Sequence, residues 1–461
     1  MGASGSKARE ARVEFYRQKG KIHARAVQGP FNSLRWALVW ITQGIFFGAC
    51  WLQWEGPEGL RQAVLFDIAH EKLYLFGLVL WPQDALLLAL VLILAATGLF
   101  LVTALGGRLF CGFACPQTVY TAIFTWLEAR VEGDHLARRK LDQSPASARK
   151  WRLKSLKHGL WLGFSLVTAI TFVGYFTPIR ELLPALAQFQ VGPWEAFWLL
   201  FYAAFTYVQA GLAREAVCQH MCPYSRFQGV MFDPATRNVA YDRQRGEPRQ
   251  AGRQAGGDCV DCGICVQVCP VGIDIRDGLQ YQCINCGLCI DACNQVMDKL
   301  GLPPGLIRFA SEQELAVPAA PRPAPLRPRV AVYGSLFLVF VLLGAWTLAE
   351  RSLVLVDVLR DRHVLMRETA DGRIENAYTL KLMNLDDTPR TYRISVAGLP
   401  GLELVGERDF EVAAGGIRPV SVTVATAAGQ HPSGAQPILF QVAALNAPAT
   451  RAEEKSRFML P

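Results

Sequence analysis

Charged residues are scarce in this chain. They make up 19% of its 461 residues, against 51% hydrophobic, and the mean hydropathy is +0.20. That balance argues against a soluble enzyme and points to a membrane protein. No Gly-rich loop lies at a strand-to-helix junction, so no flavin or nicotinamide site follows from a motif. The long apolar runs have no histidine near their centres, which argues against a transmembrane pair of b haems. They also lack a central Asp, Glu, Lys or Arg, which argues against a proton relay or ion path through the membrane. The first 30 residues are polar and basic, without the apolar core and small-residue site of a cleavable signal peptide, and none is expected. Residues 350–461 contain no cysteine, although they are expected in a compartment where disulfides persist.

Twelve of the 13 cysteines fall instead into short, regular groups. Cys259, Cys262, Cys265 and Cys269, with Pro270 after them, form a C-x2-C-x2-C-x3-C run. Cys283, Cys286, Cys289 and Cys293 repeat it, followed by Asn294. This is the spacing of a bacterial two-cluster ferredoxin, in which three close thiolates hold one 4Fe–4S cluster and the fourth reaches the other. On that rule Cys259, Cys262, Cys265 and Cys293 serve the first cluster, and Cys283, Cys286, Cys289 and Cys269 the second. Gly263 and Gly287 sit where the backbone must fold tightly around a bulky group. A zinc site would show two ligand pairs with a long gap rather than eight cysteines in this rhythm.

Along the chain, a basic N-terminus (1–33) contains Lys7, Arg9, Arg12, Arg17, Lys19, Lys21 and Arg25. Residues 34–231 are expected to hold four membrane helices, at about 34–54, 85–105, 159–177 and 194–213, each long enough to span a bilayer. Residues 63–81 are apolar but interrupted by Asp67, His70, Glu71 and Lys72, which suits a segment lying on the outer interface. A linker (232–257) leads to the ferredoxin segment (258–300). A Pro-rich connector (301–329) leads to a fifth span (330–349), and an all-β sandwich of about seven strands is expected over 350–461. The net charge of +8 needs no nucleic acid. The basic residues gather in loops expected on the cytoplasmic side, including Arg108, Arg138, Lys154 and Lys157. That topology places the N-terminus and the ferredoxin segment in the cytoplasm of a multi-pass inner-membrane protein, with the C-terminal domain periplasmic. The fold class is thus a multi-domain membrane protein: an α-helical transmembrane bundle of about five spans, an inserted α+β two-cluster ferredoxin domain and a C-terminal β-sandwich.

A second cysteine pattern occurs twice. Cys111 and Cys115 with Pro116, and Cys218 and Cys222 with Pro223, are C-x3-C-P motifs at the ends of inward-running spans. On one helix this spacing puts both sulfurs on one face; alternatively each proline marks a break with the thiols near a helix start. Three readings stand: four buried small side chains, a redox disulfide pair, or a soft-metal site that stabilises Cu(I) over Cu(II). His220 and Met221 lie inside the second motif and are weaker ligand candidates. Cys50, late in the first span, is read as packing.

Together these residues resemble the CcoG/FixG/RdxA family of cytochrome c oxidase accessory proteins over nearly the whole chain. The match includes the stretch from Leu65 to Gly77 with Trp81-Pro-Gln-Asp, both C-x3-C-P motifs with their flanks, the ferredoxin runs and the β tail. The first pair is shared more broadly with polyferredoxin membrane subunits of nitrate and nitrous oxide reductase systems. The resemblance implies a membrane-bound iron–sulfur oxidoreductase needed for cbb3-type oxidase assembly, reducing Cu(II) to Cu(I), with an immunoglobulin-like C-terminal domain. It implies that Cys111, Cys115, Cys218 and Cys222 are the copper-facing thiols and the eight ferredoxin cysteines the electron store. Expected partners are a cytoplasmic electron donor, copper ions with their transport or chaperone proteins, the oxidase assembly machinery, membrane lipid and a second copy of the chain. Two rival readings are an electron-transfer subunit serving quinone or a partner complex, and an assembly scaffold whose clusters are structural or sensing.

Overall fold

The computed structural model describes residues 21–56, 59–249, 256–316, 327–360, 366–428 and 432–461. The expectations for Lys7 to Lys19, and for the middle of the Pro-rich connector, lie outside them. Five long helices organise the chain: α1 (Pro30–Ala49), α2 (Pro82–Gly106), α3 (Ala148–Val173), α4 (Pro193–Ala213) and α5 (Pro328–Ala349). The last four are long and apolar enough to cross a membrane. α1 falls short because Asn32, Arg35 and Gln43 dilute it. Yet it buries Arg35 and Gln43 while exposing Trp40, Ile41 and Ile45, the inverse of a soluble helix and suited to lipid.

The chain divides into two compact units, 1–43 with 99–168 and 200–333, and 44–98 with 169–199 and 334–461. Each boundary falls inside one of the five helices, so the chain passes from one unit to the other five times, alternating in direction. Four of the five expected spans are long and apolar enough to cross a membrane, and α1 is not among them. All twelve grouped cysteines belong to the first unit; Cys50 alone belongs to the second.

In the second unit, residues 53–80, which include most of the segment expected on the outer interface (63–81), fold into strands. They form a hairpin, Gln53–Gly56 with Gly59–Gln62, and a three-stranded antiparallel sheet of Val64–Asp67, Lys72–Leu75 and Leu78–Leu80. The charged residues that interrupt the run sit at its first turn, where Asp67 accepts from the His70 backbone. The C-terminal domain is a sandwich of two antiparallel sheets with nine strands among the described residues, two more than expected because of the short Arg367–Glu368 and Glu403–Val405. Strand Arg373–Asn384 alternates buried and open positions along its length, as one packed face requires. Tyr378, Leu380, Leu382, Tyr392, Phe440 and Phe458 fill the core. The two buried hydroxyls are satisfied, Tyr378 donating to the Arg457 carbonyl and Tyr392 to Asn384 Oδ1 at 2.8 Å.

In the first unit, the segments expected as linkers each contribute a strand. Asn238–Tyr241 pairs antiparallel with Ile307–Ala310, closing the ferredoxin core from outside the 258–300 boundary. Val239, Tyr241, Leu306 and Ile307 are part of that core.

Candidate metal centre

Both ferredoxin runs adopt the same local conformation. Asp261 and Gly263 in the first, and Asn285 and Gly287 in the second, have positive φ. Gly263 (φ 64°) and Gly287 (φ 74°) start the helices Ile264–Gln267 and Leu288–Leu300. Alternation of left- and right-handed residues makes the backbone concavity that binds anions and iron–sulfur groups. Glycine meets this requirement without a Cβ penalty.

The structure gathers the eight thiols into two cavities. One, of about 380 Å³ with its mouth included, is lined by Cys259, Cys262, Cys265 and Cys293. The other, of about 350 Å³, is lined by Cys269, Cys283, Cys286 and Cys289, with Cys265 at its edge. These are the two crossed sets expected from the spacing. The walls are otherwise mostly apolar, from Val271, Ile273, Ile275, Ile284 and Leu288 in the second cavity. Burial pushes the Cys265 and Cys269 thiols up to about 11 and Cys283 and Cys293 up to about 12. Such thiols lose their protons when metal replaces them, which couples loading to folding. Four sulfurs, apolar walls and an anion-binding loop fit a 4Fe–4S cluster in each cavity. Arg276 lines the first cavity, held by Asp274 and by Asp261 at 2.5 Å.

The two C-x3-C-P motifs are also built alike. Cys111 lies in the short helix Leu109–Phe113 and Cys218 in the wide turn Val217–Met221. Cys115 (φ −62°, ψ 127°) and Cys222 (φ −76°, ψ 112°) are extended N-cap residues, with Pro116 and Pro223 opening the helices Pro116–Glu132 and Pro223–Met231. Proline fits the first helical position because its missing N–H would be unpaired there. Thus the break marked by proline is the geometry adopted, rather than one helix face carrying both sulfurs. Around the second motif the helix is widened and underwound: Arg214 N–H donates to Gln209 and Cys222 N–H to Val217, both five residues back. Such π-turns are rare and concentrate at functional sites.

The folding brings the two motifs together. Cys218 lies near Cys115, Cys111 and Cys222, and Cys111 near Cys115 and Cys222. Burial, then this mutual proximity, raises Cys111 to about 11 and Cys218 to about 12. Each half braces the other: Gln117 Nε2 donates to the carbonyls of Gln209 (3.0 Å) and Arg214 (3.1 Å), and Arg108 donates to the Ser225 carbonyl. Among the described residues, no three His, Cys, Asp or Glu side chains close on a point where a single ion would sit. Cys111 also packs on the ferredoxin core. A Cβ on Gly112 would lie 2.6 Å from the Ile284 carbonyl and 3.0 Å from the Cys286 backbone, so the first motif is flush with the second ferredoxin loop. His220 follows Cys218 and Gln219 in the wide turn, and Met221 beside it is 67% exposed.

Three family models match the chain. A "4Fe-4S dicluster domain" covers residues 213–312, a "4Fe-4S binding domain" residues 88–141, and an "IG-like fold at C-terminal of FixG" residues 344–461. Nitrogen fixation protein FixG of Rhizobium meliloti is 35% identical over 87% of this chain and 83% of its own length. Proteins RdxA and RdxB of Cereibacter sphaeroides are 38% and 39% identical, covering 84% and 85% of this chain and 84% of each relative. The chain belongs to the FixG family. It is accordingly a membrane-bound iron–sulfur electron-transfer protein with an immunoglobulin-like C-terminal domain.

Sequence reasoning passed over three residues of this FixG-family site. Arg108 was counted among loop charges, yet it is 2% exposed and faces Cys111, Cys218, Cys222 and Cys283. Gln228, fully buried, lies 3.5 Å from the Cys111 sulfur through Oε1. Glu128 is fully buried among Lys21, Arg138 and Arg214, which it meets at 2.6, 3.7 and 2.6 Å. Burial works to raise its carboxyl, but Arg214 and Lys21 hold it at about 2. Arg214 precedes the second motif and Glu128 follows the first, so this pair clamps the two together. Arg108, three residues before a C-x3-C-P motif, was the one signal readable from spacing.

Proposed function

We propose that this protein stores single electrons on the cytoplasmic face of a bacterial inner membrane and delivers them to Cu(II), supplying Cu(I) for assembly of a cbb3-type cytochrome c oxidase. A bound 4Fe–4S cluster supplies reversible one-electron chemistry at low potential. Cys259, Cys262, Cys265 and Cys293 hold the first cluster; Cys283, Cys286, Cys289 and Cys269 hold the second. The observation that carries the reading is the pair of four-thiol cavities inside one apolar core, pressed against the C-x3-C-P thiols through Gly112. That core buries Cys259, Cys265 and Cys286, leaves Cys262 exposed, and sets Arg276 as a fixed cation beside the first set. Each Cu(II) takes one electron and becomes Cu(I), and the reduced protein loses one. Thiol ligands favour Cu(I), which sets the direction. The copper step and the oxidase are what the family resemblance adds; the relative FixG is named for nitrogen fixation.

The test uses full-length protein purified without oxygen, reduced with dithionite and desalted. Adding Cu(II) with a Cu(I)-specific chromophore should produce Cu(I) in step with reoxidation. Reoxidation by a quinone analogue, with no Cu(I) formed from Cu(II), would replace copper by quinone as the acceptor.

A further inference from the structure

The two ferredoxin runs are built alike but covered differently, and the difference falls at three successive equivalent positions. Asn285 is 1% exposed and Cys286 8%, and a Cβ on Gly287 would lie 2.7 Å from the Phe31 ring. Their counterparts are open. Asp261 and Cys262 are exposed, and a Cβ on Gly263 would meet nothing within 4 Å among the described residues. The described residues include all 13 cysteines, and among them Cys262 alone is exposed. We infer that this bare loop, residues 260–263, is where electrons enter: a soluble one-electron carrier protein docks on it and on the groove beside it, and reduces the first cluster site rather than the second. The inference rests on the proposed function and names the donor's class and its docking place.

The cover over the second run shows which side is closed. Asn285 Nδ2 donates to the Gly106 carbonyl at 3.3 Å and to Asn238 Oδ1 at 2.8 Å. Gly112 lies against the Cys286 backbone and Phe31 against Gly287. Gly106 ends the membrane helix α2, so the second run is closed by the membrane part of its own unit. The first loop is held from within the ferredoxin segment, Asp261 pairing with Arg276, which also pairs with Asp274. A carrier arriving from the cytoplasm therefore meets the first run.

The groove supplies the docking surface. It measures about 1210 Å³ with its mouth included, and Ile264 and Val296 line both it and the first four-thiol cavity. Its floor is apolar, from Val27, Ile264, Val268, Ala292 and Val296. The charged residues on its rim are Arg25, Asp298 and Lys299, two cations to one anion, and all three are exposed. An apolar floor inside a polar rim is the anatomy of a protein interface. Rim cations speed the approach of a partner with an acidic face.

Chemistry restricts the donor. A 4Fe–4S site takes up one electron at a time, whereas a nicotinamide gives up a hydride, which carries two. The matching donor is a carrier that releases electrons singly. A membrane quinol would approach through the side that Gly106 closes. Each encounter oxidises the carrier by one electron and reduces the set of Cys259, Cys262, Cys265 and Cys293 by one, with no bond made or broken. Cys265 lines both four-thiol cavities, so the electron moves on to the second set across a shared wall.

The experiment uses the full-length protein, purified in detergent without oxygen and with no copper added. The probe is flavodoxin hydroquinone, an acidic one-electron carrier whose blue semiquinone counts the electrons delivered. In stopped flow it should reduce the wild-type protein at a rate that falls as salt rises. The double variant R25E/K299E should be reduced at least about tenfold more slowly at low salt, with iron content and reduction by dithionite unchanged. Arg226→Glu, at an exposed position on the helix Pro223–Met231, should keep the wild-type rate. Hydrogen exchange with oxidised flavodoxin bound should show protection at 260–267 and 295–299. A double variant reduced as fast as wild type overturns the inference, as does slowing in Arg226→Glu instead, protection confined to 221–232, or wild-type protein that flavodoxin does not reduce. If the double variant does not accumulate, the protection map of the wild type decides. The proposed function fails separately: Cu(I) formed by dithionite-reduced protein keeps the copper reading even if the carrier result fails, whereas reduction by flavodoxin with no Cu(I) formed afterwards keeps the entry loop and removes copper.

Discussion

The ferredoxin thiols and the C-x3-C-P thiols sit in one structural unit and differ in how their ligand sets are assembled. A ferredoxin run supplies three of its four ligands within seven residues, so spacing alone discloses the site. A C-x3-C-P motif carries two thiols, and the other pair lies about a hundred residues away. Only the packing of Gln117 on the second half, and of Arg108 on Ser225, brings the rest. Local motifs announce local sites, whereas a site shared between two halves depends on what clamps the halves together.

The sharpest way to break the comparison is at a ligand. Cys286→Ser should remove about four irons from the anaerobic protein and loosen the core around the second cavity, since the 4Fe–4S group there is part of the packing. Iron analysis with limited proteolysis reads both effects. At the shared site, the clamp should matter nearly as much. Glu128→Gln leaves Arg214 and Arg138 buried with their counter-charge gone, and should destabilise the first unit by about 3–5 kcal/mol, measured by denaturant titration in detergent. The ferredoxin EPR signals should survive it at low denaturant.

Gly112→Val probes the seam between the two kinds of site. The new Cβ meets the Ile284 carbonyl at 2.6 Å, which demands a backbone shift costing about 1–3 kcal/mol. Reoxidation of the reduced protein by Cu(II) should slow in stopped flow while iron content stays unchanged. Acid sharpens the same point. The Glu128 carboxyl sits at about 2 in the folded state, below its ordinary 4.5. Its contribution is therefore complete above pH 4.5, and is lost as pH falls from there through about 2. Glu128→Gln should flatten that part of the stability profile. The smallest expected effect is in the sandwich: Tyr392→Phe removes the bond to Asn384 Oδ1 and should cost about 1 kcal/mol, with cluster chemistry untouched.

Legibility followed the same division. The crossed ferredoxin sets, the apolar helices and the sandwich were readable because each rests on a repeated local pattern. The strands 238–241 and 307–310 were not, since four residues in polar or Pro-rich surroundings give no period. The sheet over 64–80 was hidden by an apolar run whose interruptions are turns. Arg108, Arg138, Lys154 and Lys157 looked like loop charges set by topology. The fold also pairs them, Lys154 and Lys157 meeting Glu132 at 2.9 and 3.1 Å. Charge counts in a sequence do not distinguish a solvated lysine from a buried one. α1 was expected as a crossing from its length, but its polar residues keep its hydropathy low.

The most direct measurement follows visible absorbance and a Cu(I) chromophore together while Cu(II) is titrated into the reduced, desalted, full-length protein. The account predicts that bleached iron–sulfur absorbance recovers as Cu(I) forms, one ion per electron released. Absorbance that stays bleached with no Cu(I) formed, or Cu(I) formed equally well by protein lacking its iron, would contradict it.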